Sequence, residues 1–422
     1  MKIRFISPRK PPAVVLGRRG VAVDVTKEKE CCARHDDKRC NKRAGQALLS
    51  LSAAAMALPA LAVNQPSETV VALKSSYYEE DPIRSSDEVV IYGDPNRYKI
   101  KVNQFYLLKP LGSNWALTVD YANESMSGAS PWGAVADEEG NQQLIMSGAS
   151  IDDSRNKVEG TVTRYMPDSA LSLTVGGSRE HDYRSDYLGL AFIQEFNLKN
   201  TTLSVDASYA SDELSPTDAV QFGRIERADK SSRSLAVAIS QILSRSQVAQ
   251  VGYGVTKRSG FLADPYKLRD VRPGERLEHR LSIGYLRYFE AWSARLKAEY
   301  RYFWDSFDIS AHTTSVSFFK SLGRGWDLEP RLRWYEQSEA SFFTMADRYD
   351  LPLTASQSSD ARLSSFGAWS AGLSLNYSTD VMRAGLSYDR YVSEPSAGIG
   401  APSRHRALMR YELLSLGVRF KL

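Results

Sequence analysis

Past residue 62 the sequence contains no cysteine, since Cys31, Cys32 and Cys40 all fall in the first forty residues. A chain cut after that point needs no oxidative folding and offers no thiolate nucleophile or metal ligand. "EKECCARH" lacks the apolar run that precedes a lipidated cysteine, which argues against a lipoprotein. Histidine is scarce as well. His181, His279, His312 and His405 remain, with no His-x-x-x-His or Glu-x-x-His spacing, so no metal centre of that kind is expected. No stretch after Ala62 approaches eighteen uncharged apolar residues, so no transmembrane helix is expected. A basic face is missing too. The net charge of +4 comes from residues 1–43, which carry 13 Lys/Arg and 5 Asp/Glu. The remainder has 41 basic and 45 acidic groups, a net of −4, which speaks against a nucleic-acid partner.

What is present begins with the leader. In "KRAGQALLSLSAAAMALPALA", Lys42 and Arg43 precede a run without charge from Ala44 to Leu58. Ala60-Leu61-Ala62 then offers a small-x-small exit, with cleavage between Ala62 and Val63. A basic end, a short apolar run and small residues describe a cleavable secretory signal peptide better than a buried core helix. The division expected is therefore 1–43, a basic leader or mis-called start; 44–62, the signal's apolar region and cleavage site; 63–96, an N-terminal segment with a first strand; and 97–422, the body of the fold.

That body repeats with a period of two. In "ARLKAEYRYFW", Leu296, Ala298, Tyr300 and Tyr302 alternate with Arg295, Lys297, Glu299 and Arg301. In "WDLEPRLRWY", Trp326, Leu328, Leu332 and Trp334 alternate with Asp327, Glu329, Arg331 and Arg333, although Pro330 interrupts the run. Strand side chains alternate faces, so each segment has one apolar and one polar face. A soluble sandwich alternates too, but these segments run to about ten residues or more, against five or six for an ordinary strand. About ten tilted residues cross a bilayer. Aromatics cluster near the ends of the apolar faces, as interfacial girdles require. The polar faces carry full charges that a packed interior would not tolerate and a wet lumen would.

Strands are expected near 97–108, 114–123, 157–166, 169–178, 184–196, 201–211, 231–243, 247–258, 277–288, 292–304, 310–321, 326–337, 366–376, 380–391 and 406–421. Short and long connections alternate, the longest being 124–156 and 338–365. Barrels of this class have short periplasmic turns, long outer loops and both ends periplasmic. That parity demands one more ascending strand, and Thr69–Tyr78 is the candidate, which makes sixteen. Fourteen is the alternative if the weaker segments fail. The expected fold is an all-β, antiparallel transmembrane barrel in a bacterial outer membrane.

The pentapeptide Met-Ser-Gly-Ala-Ser occurs twice, at 126–130 and 146–150. With "YYEED" (Tyr77–Asp81), "YANESMSGASPWG" and the second copy in order after a signal peptide, the chain resembles the bacterial family called domain of unknown function 3570, predicted outer-membrane barrels. The resemblance implies a location and a fold but no catalytic residues. The ending "LLSLGVRFKL" resembles the terminal strand that such barrels present to their assembly machinery, with Phe420 two places early and Leu422 last. Outer-membrane lipid and that machinery are thus the implied partners. A homo-oligomer stands open by analogy with trimeric porins, and so does a periplasmic protein partner.

The functional expectation is a porin-like passage for small solutes. Arg295, Lys297, Glu299, Arg301, Asp327, Glu329, Arg331, Arg333, Arg383 and Asp389 would line it. Basic residues outnumber acidic ones in this set, so a weak preference for anions is expected. The doubled pentapeptide is either a turn used twice or the two arms of a hairpin folded into the barrel mouth. In the second case Met126, Ser127, Gly128, Ser130, Trp132, Met146, Ser147, Gly148 and Ser150 form a constriction loop. Ile145 would pack with the apolar anchors, and the tip Asp137-Glu138-Glu139 would face the Arg-rich wall. The alternative is a plugged, non-conducting barrel that serves as an interaction or assembly partner. An enzyme is not expected. A lipid-boundary Ser-His hydrolase is the remote alternative, and Ser-Gly-Ala-Ser lacks the nucleophile elbow it would need. No cofactor or metal is expected: "EHDY" (Glu180–Tyr183) reads as a surface turn, and Asp137, Glu138, Glu139, Asp152 and Asp153 as a solvated acidic loop rather than a Ca²⁺ site.

Overall fold

In the computed structural model the described residues are 63–83, 90–128, 131–138, 141–146, 151–267, 269–394, 398 and 405–422. The expected signal peptide, Ala62 included, lies outside them, as do Ser130, Glu139, Ser147, Gly148 and Ser150 and the side chains of Trp132 and Asp152.

Sixteen strands form the wall. In chain order they are β1 (Val70–Glu80), β3 (Lys99–Leu111), β4 (Trp115–Gly128), β7 (Ile151–Tyr165), β8 (Ser169–Arg179), β9 (Tyr183–Phe196), β10 (Thr201–Leu214) and β11 (Ala228–Ser244). Then follow β12 (Gln247–Gly260), β14 (Glu275–Phe289), β15 (Ala294–Asp305), β16 (Ser310–Gly323), β17 (Trp326–Gln337), β19 (Phe366–Ser378), β20 (Met382–Glu394) and β21 (Arg410–Lys421). Each pairs antiparallel with the next, and β1 pairs with both β3 and β21, so the sheet closes without an edge. Closure leaves the sheet no open edge, the condition for a β structure in lipid. Among the described residues five short strands lie outside the wall: β2 (Ile91–Tyr92), β5 (Pro131–Ala136), β6 (Gln142–Met146), β13 (Asp270–Val271) and β18 (Gln357–Ser358).

Cross-strand partners share a face, so the register propagates one apolar row around the ring. Leu73 pairs with Val418 and Phe105, Phe105 with Tyr121, and Tyr121 with Val158. Farther round, Leu235 pairs with Val255 and Leu386 with Leu416. These side chains are open to the surroundings. Val175 is 58% exposed and Leu416 62% exposed, a distribution that water would penalise and acyl chains favour. Aromatic pairs bound the apolar band. Trp326 stacks near Tyr377 (5.0 Å) at one rim and Trp334 near Trp369 (6.5 Å) at the other. Trp326 and Trp334 stand eight residues apart on β17, about 27 Å along the strand and about 20 Å vertically at a tilt near 40°. The protein is an outer-membrane β-barrel.

The first and last strands of the barrel meet at the rim of short turns: Thr69 N–H donates to Leu422 O, and Leu422 N–H to Thr69 O. Val63 is tied there as well, its N–H donating to Glu195 Oε1 at 2.9 Å. The opposite rim carries the long connections. The sequence reading shortened two strands at this rim. β4 runs to Gly128 where 114–123 was expected, and β7 starts at Ile151 where 157 was expected. Beyond the apolar band the inward residues Glu124, Asp153 and Arg155 are charged and the outward ones polar, so apolar alternation fades while pairing continues. Pro330 is accommodated because β16 and β17 pair on both sides of it, at Ser317–Arg331 and Lys320–Leu328, and not at it.

Candidate functional site: the lumen and its loop-filled mouth

Positions that alternate with the apolar row point into the lumen. All ten residues read as pore-lining occupy such positions. Glu299 bridges Lys297 at 3.0 Å, and Arg331 holds Asp389 at 2.9 Å. Arg295 lies over the Phe319 ring at 4.0 Å and Arg333 over Tyr335 at 5.6 Å. Asp327 and Glu329 pair with Asn376 and Ser374, and Arg383 with Arg419. Arg301 sits within electrostatic reach of Arg280 and Arg333, with Glu299 as counter-charge. Sequence reading missed Arg280, whose strand opens with Glu275, Arg276 and Glu278, charges on both faces that mask the alternation.

The opposite wall is acidic. In a ring of sixteen, β15 stands across from β4 and β16 across from β7. Asp120 of β4 and Glu159 of β7 face inward within electrostatic reach of one another, with Lys157 bridging Glu159 at 3.2 Å. Tyr187 donates its hydroxyl to Glu159 at 2.6 Å and lies flat over Gly176, where a Cβ would stand 2.4 Å from its ring. A cavity of about 370 Å³ runs between Asp206, Ser204 and Gln250 on one side and Arg280, Glu299 and Arg301 on the other.

The mouth is filled. β5 and β6 form a hairpin, and β2 joins β6 in parallel. Ala134, Leu144 and Met146 of this small sheet bury themselves with Ile83 and Ala407. Loops from around the rim clasp it: Lys267 Nζ donates to Pro131 O at 3.1 Å, Asp347 N to Ala134 O at 2.7 Å and Arg406 N to Gln142 Oε1 at 3.1 Å. Below the sheet lies a second cavity, about 400 Å³, bounded by Ala134 and Leu144 above and by the inward wall residues Tyr78, Arg333, Tyr391 and Tyr411. A second apolar cluster, Phe307, Ile309, Ala340 and Leu363, anchors the 338–365 loop.

The expected constriction hairpin is thus divided differently. Met126, Ser127 and Gly128 belong to wall strand β4, not to a hairpin arm, and Met126 packs with Tyr78, Tyr98 and Ile100. Gly128 has φ +131°, and a Cβ there would stand 2.4 Å from Arg97 O, so the first pentapeptide ends the strand where only glycine fits. Met146 alone of the described pentapeptide residues lies in the inner sheet, with Ile145 beside it. Asp137 does not face the arginine wall with an open carboxylate. It accepts from Asn141 N at 2.7 Å and from Gln143 Nε2 at 2.8 Å within its own hairpin, and Glu138 is exposed.

His279 and His312 each meet a tyrosine hydroxyl at 2.7 Å, Tyr253 and Tyr300. His405 is buried in the mouth, with Nε2 2.9 Å from Ser359 O and Nδ1 accepting from Ala407 N at 3.1 Å. Burial pushes it down to about 4. Nearby Asp347 is pushed up to about 6 by burial, against Ser359's hydrogen bond.

One cluster contradicts its reading. "EHDY" is no simple surface turn: the side chain of Glu180 is fully enclosed, and Asp182 and Asp153 are 6% exposed. Their carboxylates gather within 4.8 Å of one another. Burial pushes Glu180 up to about 8, with Arg155 pulling the other way.

Residues 48–403 match the model of a family described as "Protein of unknown function (DUF3570)". No curated protein matches the chain. Among solved structures, a bacterial polysaccharide outer membrane secretin is similar at 9% identity and TM-score 0.48, covering 84% of this chain and 98% of that one. OccK1 (OpdK) of Pseudomonas aeruginosa gives 10%, 0.41, 84% and 98%. A Pseudomonas aeruginosa FadL homologue gives 8%, 0.39, 84% and 90%.

Proposed function

The chain belongs to the DUF3570 family, and because that family's description assigns no activity, we propose a role from the lumen itself: a passage for small polar solutes, narrowed at its outer end by the β2–β5–β6 sheet. The reading rests on the charge-separated lumen. Arg280, Arg301 and Arg333 stand on one side, and Asp120 and Glu159 on the other. Opposed walls of opposite sign set up a field across the bore. Such a field orients a solute that carries both charges and slows one that carries neither. No chemical step is part of this role. Sixteen strands leave an aqueous lumen unless something fills it. The test is single-channel recording of the purified protein in a planar bilayer under a salt gradient. Discrete conductance steps with a slight preference for anions are expected. A silent bilayer containing correctly folded protein would overturn the reading.

The clasped mouth favours one second reading, a closed barrel whose loops present a surface to another protein. It expects no conductance in the intact chain and conductance only after the inner sheet is removed.

A further inference from the structure

At the outer rim, β7, the 180–182 link and the 261–274 loop converge. β7 contributes Asp153, and the link contributes Glu180 and Asp182. The Glu180 side chain is wholly enclosed, and neither of its oxygens accepts a hydrogen bond. The nearest cation, Arg155 Nε, stands 3.5 Å from Oε1 and also faces Glu124, with its Nη1 3.5 Å from Oε2 of that residue. Asp182 Oδ1 likewise has no donor, while Oδ2 accepts from the Tyr266 hydroxyl. Arg155 is in ion-pair reach of Glu124 and Glu180, with Lys157 and Lys230 within electrostatic reach of the same two residues, yet the Glu180 oxygens and Asp182 Oδ1 are buried without a donor, which dry surroundings penalise.

We propose that Asp153, Glu180 and Asp182 bind a divalent cation of the calcium class. The donors are all oxygen, which selects a hard cation. Calcium–oxygen bonds of about 2.4 Å allow two ligands of one ion to stand up to about 4.8 Å apart. The three carboxylate oxygens meet that limit, lying within 4.8 Å of one another. The smaller magnesium ion, at about 2.1 Å, demands a tighter cage. Arg155 supplies part of the counter-charge and the ion supplies the rest. Bound there, the ion joins β7 to the β8–β9 link and, through the Asp182–Tyr266 hydrogen bond, to a loop that clasps the inner sheet. The site stands on its own geometry and is independent of whether the lumen conducts.

Terbium luminescence tests it, because Tyr266 touches a ligand and can sensitise a lanthanide in the site. The purified full chain in detergent is titrated with Tb³⁺ under tyrosine excitation and then back-titrated with Ca²⁺. Sensitised emission displaced by Ca²⁺ is expected. Glu180→Gln should weaken Tb³⁺ binding at least tenfold, and Asp350→Asn, an exposed acidic residue on another loop, should not. Should Glu180→Gln fail to show the compact migration of a folded barrel on unheated gels, Asp153→Asn serves in its place. Ca²⁺ should also raise the unfolding temperature of the wild type and of Asp350→Asn but not of the site variants. Absence of sensitised emission in the folded wild type would overturn the proposal, as would equal binding by a folded site variant.

Discussion

The two walls of this barrel face the same lipid and different water. Outside, β15 and β9 are alike, with Ala298 and Tyr300 on one and Leu188 and Leu190 on the other. Inside, the β14–β17 wall is rich in arginine and the β4–β10 wall in carboxylates. The difference shows that the two faces of a membrane strand answer to separate constraints. Acyl chains accept only apolar side chains, so the outer face is uniform. Lumen water solvates either sign, so the inner face is free to carry charges of both signs in separate patches.

The largest expected effect tests what the walls share. Ala298→Arg on the basic wall and Leu190→Arg on the acidic wall should each cost about 2–4 kcal/mol near the midplane. Thr161→Arg, one strand face inward, should cost far less. Denaturant unfolding in lipid vesicles measures all three, and unequal costs for the outer pair would break the symmetry. Removing the inner sheet comes next. Deletion of Pro131–Met146 should raise conductance severalfold but leave ion selectivity nearly unchanged, because Asp137 is already bonded within its hairpin. A marked shift toward anions would instead return the acidic tip to the passage.

Neutralising one wall should have a smaller effect. Replacing Arg280, Arg301 and Arg333 together by Gln should lower the anion-to-cation permeability ratio roughly threefold or more, read from reversal potentials. Asp120→Asn with Glu159→Gln should move the ratio the other way. Equal directions would mean that the walls do not act in opposition.

The smallest effect lies in the mouth, where two buried groups titrate in opposite senses. His405 is held neutral with its value lowered to about 4, so its contribution is present above about 6.5 and is lost as pH falls toward 4. Asp347 is raised to about 6, so its buried charge is costly above that pH and relieved below it. Each shift corresponds to about 3 kcal/mol, and the two nearly cancel. Hydrogen exchange across 338–365 should therefore change little between pH 7 and pH 5 in the wild type. In Asp347→Asn the loop should loosen on acidification, and in His405→Gln it should tighten. A flat response in both variants would remove these groups from control of the mouth.

Much of the wall was legible from alternation, though Arg280 and the outer ends of β4 and β7 were not. Arg295, Lys297, Glu299 and Arg301 alternate with apolar neighbours, and their inward placement follows from strand geometry alone. The mouth was not. Met126 and Met146 belong to identical pentapeptides, yet one ends a wall strand and the other lies in the inner sheet. Identical local sequence cannot distinguish them, because their fates depend on what Arg97 and Ala407 place beside them. Asp153 and Glu180 are twenty-seven positions apart. The only local hint was acidic residues at the ends of neighbouring strands.

The sequence by itself determined a sixteen-stranded membrane barrel, its strand boundaries to within a few residues over most of the wall, and the composition of the lumen. It could do so because a period of two and the length needed to cross a bilayer are local properties. Only the closed fold brings the two charged walls opposite one another, locks the loops across the mouth and places Asp153 in one buried pocket with Glu180 and Asp182. Those facts depend on which strands meet around the closed ring and on how loops from separate hairpins fill the space above it, and no window of neighbouring residues contains that information.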